Sequence, residues 1–238
     1  MSYNPYKSLP GGFSPNDGTI DFYLRIRNYL DKKKILLDIG AGKGDWFDSS
    51  KKTKITKETQ FLKNSVKKFY AADVDPQVLK NKTSHQNYLI KNHKIPLKSN
   101  SIDIIISDWT LEHIENPKTF FKEINRLLKK NGLIFFRTPH KYNYFAFANS
   151  ILEGTKFKDI LLKKSQPNRA KWFKSYYKIN TYNSIQKLFK NYKINYFLFI
   201  PDPAYYFGSK ILFYLFKFLH LISPKFFVGI IMCCLKKK

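Results

Sequence analysis

The chain has 238 residues with 43% hydrophobic and 25% charged side chains, which excludes collagen-like, wholly disordered and disulfide-stapled miniprotein classes. This length is sufficient for one main domain with a buried core and attached segments. The 43 Lys and Arg against 17 Asp and Glu give a net charge of +26, which predicts attraction to nucleic acid, anionic lipid headgroups or phosphorylated substrates.

Lysine supplies most of this positive charge, since only five of the basic residues are Arg. Lys is a solvated point charge, whereas bidentate recognition of phosphate or guanine prefers Arg. The Lys residues are also scattered along the whole chain. We therefore interpret the charge as a generally Lys-rich solvated surface, and we favour other partners over nucleic acid.

Cysteine and histidine usage argues against a disulfide framework or a metal site. Cys233 and Cys234 are adjacent, and the five His have no zinc-site spacing with them. The first 30 residues contain no apolar segment typical of a secretion signal. These features predict a cytoplasmic protein, either free or peripheral at the inner membrane face.

The first predicted helix precedes the main domain as a brace. Asp17 is suited to cap it, because a short carboxylate accepts hydrogen bonds from the first helical turn. The helix is expected to bury one apolar face formed by Ile20, Tyr23, Leu24 and Ile26.

Strands and helices then alternate up to residue 140, which is typical of right-handed βαβ units around a parallel sheet. Pro76 and Pro117 stand where the first turn of a helix is expected, and the second helix is expected to end at Asn131–Gly132. The predicted strands are short apolar runs: Ile35–Ile39, Lys68–Ala72, Tyr88–Ile90, Ile102–Ser107 and Leu133–Arg137.

Beyond residue 140 the alternation lapses. Lys141–Lys178 contains no strand pattern. We expect this segment to cap the carboxyl ends of the strands and to determine which substrate binds there. A helix near Thr181–Tyr192 and a strand at Lys193–Ile200 resume the sheet pattern. The resulting organisation has five parts: an N-terminal brace (1–30), a core (31–140), an insertion (141–180), the last helix and strand of the core (181–203), and an apolar, Lys-flanked tail (204–238).

The tail contains two apolar runs, Ile211–Ile222 and Phe226–Leu235, on either side of Pro224. Neither run reaches the roughly 20 residues that a spanning helix requires. The flanking Lys residues favour an interfacial helix or hairpin on an anionic membrane. The alternative is that the tail packs on the domain or forms a dimer contact.

The sequence Leu37–Gly44 places a glycine-rich turn between the end of the first strand and a following helix. A dinucleotide fingerprint would require a glycine where Asp45 stands, so no pyrophosphate cradle is predicted. Asp38, just before the turn, suits a ligand with a positive group. Asp73, at the end of the second strand, is able to accept hydrogen bonds from both hydroxyls of a ribose.

At these residues the chain resembles the class I S-adenosylmethionine-dependent methyltransferases, in particular those with a methyltransferase type 11-like domain. The resemblance spans about residues 35–140. It implies an α/β, Rossmann-like fold with a mostly parallel sheet flanked by helices, and S-adenosylmethionine as cofactor. It rests on four motifs in order: Leu37–Gly44, Ala72–Pro76, Ile95–Leu97 with Ser101–Asp103, and Asp108–Ile114.

The resemblance also implies where the methionine part of the cofactor binds. The backbone of Gly40, Ala41 and Gly42 would lie against it, and Asp38 would lie near its ammonium group.

For the rest of the cofactor, the resemblance implies that Asp73 holds the ribose and that Val74 lies against the adenine. Asn92 would pass the adenine edge, at a point where the family commonly has an acidic residue instead. Ser107 and Asp108 end the fourth strand and would face the reactive end of the cofactor.

The candidate catalytic residues are His140 and Asp108, while Glu112 and His113 are interpreted as supporting the fold. His140 follows the fifth strand at the carboxyl end, where open α/β sheets bind ligands. A methyl group on a sulfonium has a good leaving group, so the protein chiefly positions an O, N or S nucleophile, which contributes roughly 7–11 kcal/mol. A base is needed only when that nucleophile carries a proton.

The resemblance implies methyl transfer to a small-molecule, lipid or glycan-precursor acceptor. Two alternatives stay open: methylation of RNA or another macromolecule, and a non-catalytic protein that binds the cofactor. The sequence contains no recognisable RNA-binding module, and the intact Asp38, Gly40, Gly42 and Asp73 argue against loss of cofactor binding.

Overall fold

The computed structural model describes residues 3–50, 52–152, 154–155 and 173–238. Its centre is a seven-stranded sheet with the strand order β3-β2-β1-β4-β5-β7-β6. Strands β1 to β5 are parallel, and β7 is antiparallel to both of its neighbours. The strands are β1 (Ile35–Ile39), β2 (Lys68–Asp73), β3 (Gln86–Leu89), β4 (Ile102–Asp108), β5 (Leu128–Pro139), β6 (Tyr192–Phe199) and β7 (Ile230–Lys237).

Helices flank the sheet, and both sheet faces are buried in apolar clusters. Burial on both faces explains why the central strands are continuous runs of Leu and Ile rather than alternating patterns. The expected α/β class with a mostly parallel sheet is confirmed. The described α-helices are α1 (Gly18–Arg27), α2 (Lys54–Gln60), α3 (Pro117–Leu127), α4 (Tyr144–Ile151), α5 (Tyr182–Leu188), α6 (Lys210–Ile222) and α7 (Lys225–Val228).

Helix α1 packs on one face of the sheet, and Asp17 caps it by accepting two backbone N–H groups of its first turn. Tyr23 and Ile26 are buried as predicted. The expectation for Leu24 is wrong, because its side chain is exposed and Phe22 occupies the buried position instead. The aromatic side chains of Phe22 and Tyr23 from the N-terminal segment thereby cover one face of the sheet.

Two helix boundaries differ from the sequence prediction. After the glycine turn the chain forms a series of turns, and α2 begins only at Lys54. Helix α3 ends at Leu127 rather than at Asn131–Gly132, because Leu128 already pairs with Ile102 of β4. The register then shifts before Leu133.

Most of the second apolar run of the tail, from Ile230 on, belongs to strand β7, which lies between β5 and β6. Cys233 pairs with Phe136 on one side and with Tyr196 on the other. The expectation that Phe226–Leu235 belongs to an interfacial hairpin is therefore wrong for the β7 residues. A short uncharged run is compatible with a buried strand as well as with a membrane interface. Here it pairs with β5 on one side and with β6 on the other. The sheet consequently extends to Lys237, beyond the expected core boundary at residue 203.

The described ends of the expected insertion lie side by side, since the Lys141 N–H donates to the Asn180 carbonyl over 2.8 Å. Helix α4 occupies the first part, and residues 156–172 lie outside the described residues. The predicted cap over the acceptor site therefore falls largely outside the described part of the chain. Among the described residues, no helix combines the length and apolar character needed to cross a bilayer.

The packing of β7 can be tested against its neighbour α6 with one matched pair of variants. Ile231 is 0% exposed, so Ile231→Ala should lower the free energy of unfolding by about 2–5 kcal/mol through lost burial and a cavity. The same deletion at Ile211, which is 80% exposed on α6, should change it by less than about 0.5 kcal/mol. Urea unfolding followed by circular dichroism measures both. Equal losses would contradict this placement of the tail.

Candidate functional site

The glycine turn begins directly after β1 and is held close to its neighbours. The N–H groups of Gly40 and Ala41 both donate to the Ala72 carbonyl, over 2.8 and 3.3 Å. Gly40 has a φ of 82°, and a Cβ at this position would lie 2.1 Å from Thr110 Oγ1. Only glycine fits there, because the turn passes against the loop that follows β4. Gly42 also has a positive φ, but open space surrounds its missing Cβ.

Asp73 and Asn81 hold the turn in this shape. The Asp73 carboxylate accepts from the Gly42 N–H over 2.8 Å and from the Asp75 N–H over 2.9 Å, one bond to each oxygen. Asn81 donates its side-chain amide to the Gly42 carbonyl over 2.9 Å. Each Asp73 oxygen retains a second lone pair, so this carboxylate is still able to accept ligand hydroxyls. The sequence contained no motif that identifies Asn81.

Three carboxylates, Asp73, Asp38 and Asp108, lie towards the carboxyl ends of the adjacent strands β2, β1 and β4. Chain order reverses between β1 and β4, and open α/β sheets bind ligands at such a switch point. Asp38 is half-buried, and no donor within the described residues forms a hydrogen bond to its carboxylate. Burial, together with the Asp108 and Asp73 carboxylates, raises the pKa of Asp38 well above its usual range.

Asp108 differs from the other two carboxylates because it has a cationic partner. Arg137 of β5 is 4% exposed and pairs with both Asp108 oxygens, with Nη2 at 2.9 Å from Oδ2. The Tyr23 hydroxyl of α1 donates to the same carboxylate over 3.1 Å. Burial would lower the pKa of Arg137, but the Asp108 carboxylate outweighs this and raises it. Both Asp108 oxygens are thereby engaged in an ion pair that joins α1, β4 and β5.

A lysine from the loop after the glycine turn reaches the same network. Lys52 Nζ lies 3.2 Å from Gln60 Oε1, and Gln60 donates its amide to the Tyr23 hydroxyl over 3.4 Å. Burial and the nearby Arg137 guanidinium lower the pKa of Lys52. Sequence reasoning missed Lys52, since Lys is too common in this chain for one of them to stand out.

The two residues expected near the adenine follow the neighbouring strands β2 and β3, and both are exposed. Val74 directly follows Asp73 and is exposed. Asn92 is exposed in a tight turn, where it and His93 have φ values of 49° and 58°. Ile90, two residues earlier, donates its N–H to the Asp73 carbonyl over 2.8 Å. The turn with Asn92 therefore follows directly from the strand that is hydrogen-bonded to β2.

Ser107 and His140 are both buried. The Ser107 hydroxyl has no hydrogen-bond partner in the described part of the chain. His140 Nδ1 accepts the Tyr142 N–H over 3.3 Å, and its ring contacts the rings of Tyr142 and Phe226. Burial lowers the pKa of His140, which favours the neutral ring. These contacts place His140 against the segments that follow β5 and α6.

Comparison with known proteins identifies this part of the chain. Residues 37–136 match the family model described as a methyltransferase domain. This part of the chain, which is less than half of its length, is therefore similar to methyltransferase domains. The match covers the glycine turn, Asp73 and Asp108, and it ends one residue before Arg137.

Two curated relatives match part of this chain. The ubiquinone biosynthesis O-methyltransferase of Pelagibacter ubique is 29% identical over 134 residues, covering 51% of this chain and 48% of that protein. The malonyl-[acyl-carrier protein] O-methyltransferase 2 of Ilyobacter polytropus is 24% identical, covering 61% of this chain and 59% of that protein. The chain thus spans about half the length of the curated relatives it matches.

A solved structure supports the fold over nearly the whole chain. The S-adenosylmethionine-dependent methyltransferase from Mesorhizobium loti is 16% identical, with a TM-score of 0.55. The match covers 93% of this chain and 99% of that structure. The shared fold includes residues 37–136 and the strands that follow them.

The close approach at Gly40 predicts a loss of stability that a second glycine controls. Gly40→Ala and Gly154→Ala share the strain of a positive φ, 82° and 79°, which costs of order 1–3 kcal/mol. Only Gly40→Ala also forces a methyl group against Thr110, so it should lose more stability than Gly154→Ala. Adding Thr110→Gly should remove this extra loss. Thermal unfolding measures this difference. The same loss in both single variants would contradict the described turn.

Proposed function

We propose that the chain transfers a methyl group from S-adenosylmethionine to an oxygen nucleophile of an anionic small-molecule or lipid acceptor. The observation that carries this proposal is the half-buried Asp38 carboxylate, which lies between two others without a hydrogen-bond donor from the described residues. A buried charge without a partner is costly, so this position favours a cationic ligand.

The residues around the turn fit this cofactor. S-adenosylmethionine carries two positive groups, an ammonium and a sulfonium, which complement the carboxylates left without a cation. Asp73 retains lone pairs for the two ribose hydroxyls, and the open space at Gly42 leaves the backbone accessible to the methionine part. Arg137 already forms an ion pair with Asp108, so Asp38 is the carboxylate that we expect to bind a positive group of the cofactor.

When bound, the cofactor supplies an electrophilic methyl group attached to a positively charged sulfur. The chain then has to bind the cofactor and the acceptor, orient them towards each other and exclude water. The Asp108–Arg137 pair and the Tyr23 hydroxyl fix the wall of the site next to α1, so Asp108 acts as a positioning residue. Positioning of two reactants contributes roughly 7–11 kcal/mol to such a reaction.

The engagement of both candidate bases favours an acceptor that needs none. The Asp108 oxygens are bound to Arg137 and Tyr23, and His140 Nδ1 is bound to the Tyr142 N–H. A carboxylate or an ionised phenol attacks without giving up a proton. The net charge of +26 attracts such anionic acceptors, and two curated relatives carry the name O-methyltransferase.

The test is transfer of a tritiated methyl group from S-adenosylmethionine to cell-extract fractions separated into lipid, small-molecule, glycan, protein and RNA pools. We expect label in the lipid or small-molecule pool, attached to oxygen. Release of labelled methanol by mild base identifies an ester, whereas stable label identifies an ether. Label confined to RNA or protein would overturn the acceptor class, and cofactor binding without transfer to any pool would support the non-catalytic alternative.

The ribose contact of Asp73 can be measured directly. Asp73→Asn should weaken S-adenosylmethionine binding by about 1–3 kcal/mol, because it removes hydrogen bonds to a charged acceptor. Asp45→Asn is the matched control, since it changes the charge equally on an exposed side chain close to the turn. Isothermal titration calorimetry compares the two. A similar loss of affinity in both variants would mean that only the net charge matters, and it would contradict the ribose contact of Asp73.

The raised pKa of Asp38 predicts a pH dependence. A cation binds the ionised carboxylate, so affinity for S-adenosylmethionine should rise with pH as Asp38 loses its proton, and binding should release that proton. The same rise in pH should destabilise the cofactor-free chain, because burial favours the neutral carboxyl. Calorimetry in buffers of different ionisation enthalpy counts the released protons. A wild-type profile that persists in Asp38→Asn would contradict this assignment.

A further inference from the structure

Helix α6 presents an apolar face to solvent. An ordinary surface helix turns its apolar stripe inward and its polar face outward. On α6 the inward positions are Phe213 and His220, and both are buried. The outward side chains recur at i, i+4, i+7 and i+11 and are 51–80% exposed: Ile211, Leu215, Phe218 and Ile222.

The packing of the inner face holds this orientation in place. Phe213 makes an edge contact with the ring of Tyr3, with the ring centroids 5.8 Å apart. His220 donates from Nδ1 to the Pro201 carbonyl over 3.0 Å, and Tyr144 of α4 stacks on Phe216. A rotation that buried the outer stripe would break all three contacts. The stripe is therefore displayed by an anchored helix.

The exposed apolar surface continues into the following segment. Phe226 and Phe227 of the short helix α7 are exposed, as are Tyr214 and Leu221 on the flanks of the stripe. Single exposed apolar side chains are ordinary, but a concentration of this kind on adjoining elements marks an interaction surface.

The charged side chains on α6 and α7 are all Lys, while the Asp202 carboxylate acts on the buried His220 at the inner face of α6. Lys210, Lys217 and Lys225 are exposed on and beside α6. No acidic residue occurs in the sequence after Asp202. An apolar stripe bordered by Lys matches a bilayer with anionic headgroups, where acyl chains meet the stripe and phosphates meet the Lys. A second copy of this chain would bring the same positive charges to the contact, which opposes pairing of two such faces.

We propose that α6 docks in the plane of an anionic phospholipid bilayer, with Ile211, Leu215, Phe218 and Ile222 inserted below the headgroups. The helix has 13 residues, fewer than the roughly 20 that spanning requires, so it would lie along the surface. Its contact with Tyr144 places it beside α4, which follows the carboxyl end of β5. The docked helix would hold that end of the sheet near lipid acceptors. The docking of α6 is argued from the exposed side chains of α6 and α7 and stands independently of methyl transfer.

The experiment is vesicle cosedimentation of the full chain, with phosphatidylcholine vesicles compared with vesicles that also contain phosphatidylglycerol. We expect binding to the anionic vesicles, which weakens as salt is added. Ile211→Gln combined with Phe218→Gln should lower the partition coefficient by about tenfold or more, because two large apolar side chains no longer enter the bilayer. The matched control is Leu24→Gln with Leu79→Gln, two exposed apolar side chains elsewhere on the surface, which should bind like the wild type.

A second variant separates charge from apolar insertion. Lys217→Gln with Lys225→Gln should also weaken anionic binding while leaving the stripe intact. Thermal unfolding establishes that all variants keep the wild-type fold. Three results would overturn the proposal: no binding to anionic vesicles, equal losses in the stripe and control variants, or a dimer in light scattering that the stripe variant dissociates. The last result would assign the face to a second copy.

Discussion

The Asp38 carboxylate lies between two other carboxylates at the point where the strand order reverses, and this charge arrangement governs the site. Asp108 is neutralised by Arg137, and Asp73 accepts two backbone N–H groups. Asp38 has neither kind of partner among the described residues, and its pKa is raised. An arrangement of this kind is disfavoured without a ligand and favourable with a cationic one, so the geometry of the site favours a positively charged cofactor.

The supporting structure keeps the carboxylates and the glycine turn in register. Gly40 allows Thr110 to approach the turn, and Asn81 binds the turn from the side of β2. Tyr23 brings α1 onto Asp108, so the N-terminal brace contributes directly to the wall of the site. The parts expected to be separate, brace and core, therefore share one hydrogen-bonded network.

The sequence predicted what depends on local order along the chain. The glycine turn follows a short buried strand, and Asp38 and Asp73 lie in the last residues of two such strands. Their place at the carboxyl end of a parallel sheet follows from that alone. It could not predict Arg137 as the partner of Asp108, because that pairing depends on the register between β4 and β5. Nor could it decide the fate of the β7 segment. A short uncharged run is compatible with a strand or with a membrane interface. The strand forms here because β5 and β6 can both pair with it, and this depends on the tertiary structure.

The tail thus contributes two different things, a buried strand and an outward-facing apolar helix. The first completes the sheet, while the second lies beside α4, which follows the carboxyl end of β5. The central claim remains the cation-binding carboxylate row, and a crystal structure of the chain with S-adenosylhomocysteine tests it most directly. The account predicts the ligand ammonium at Asp38 and the ribose hydroxyls at Asp73. A ligand bound elsewhere, or one that leaves Asp38 without a cation, would contradict it.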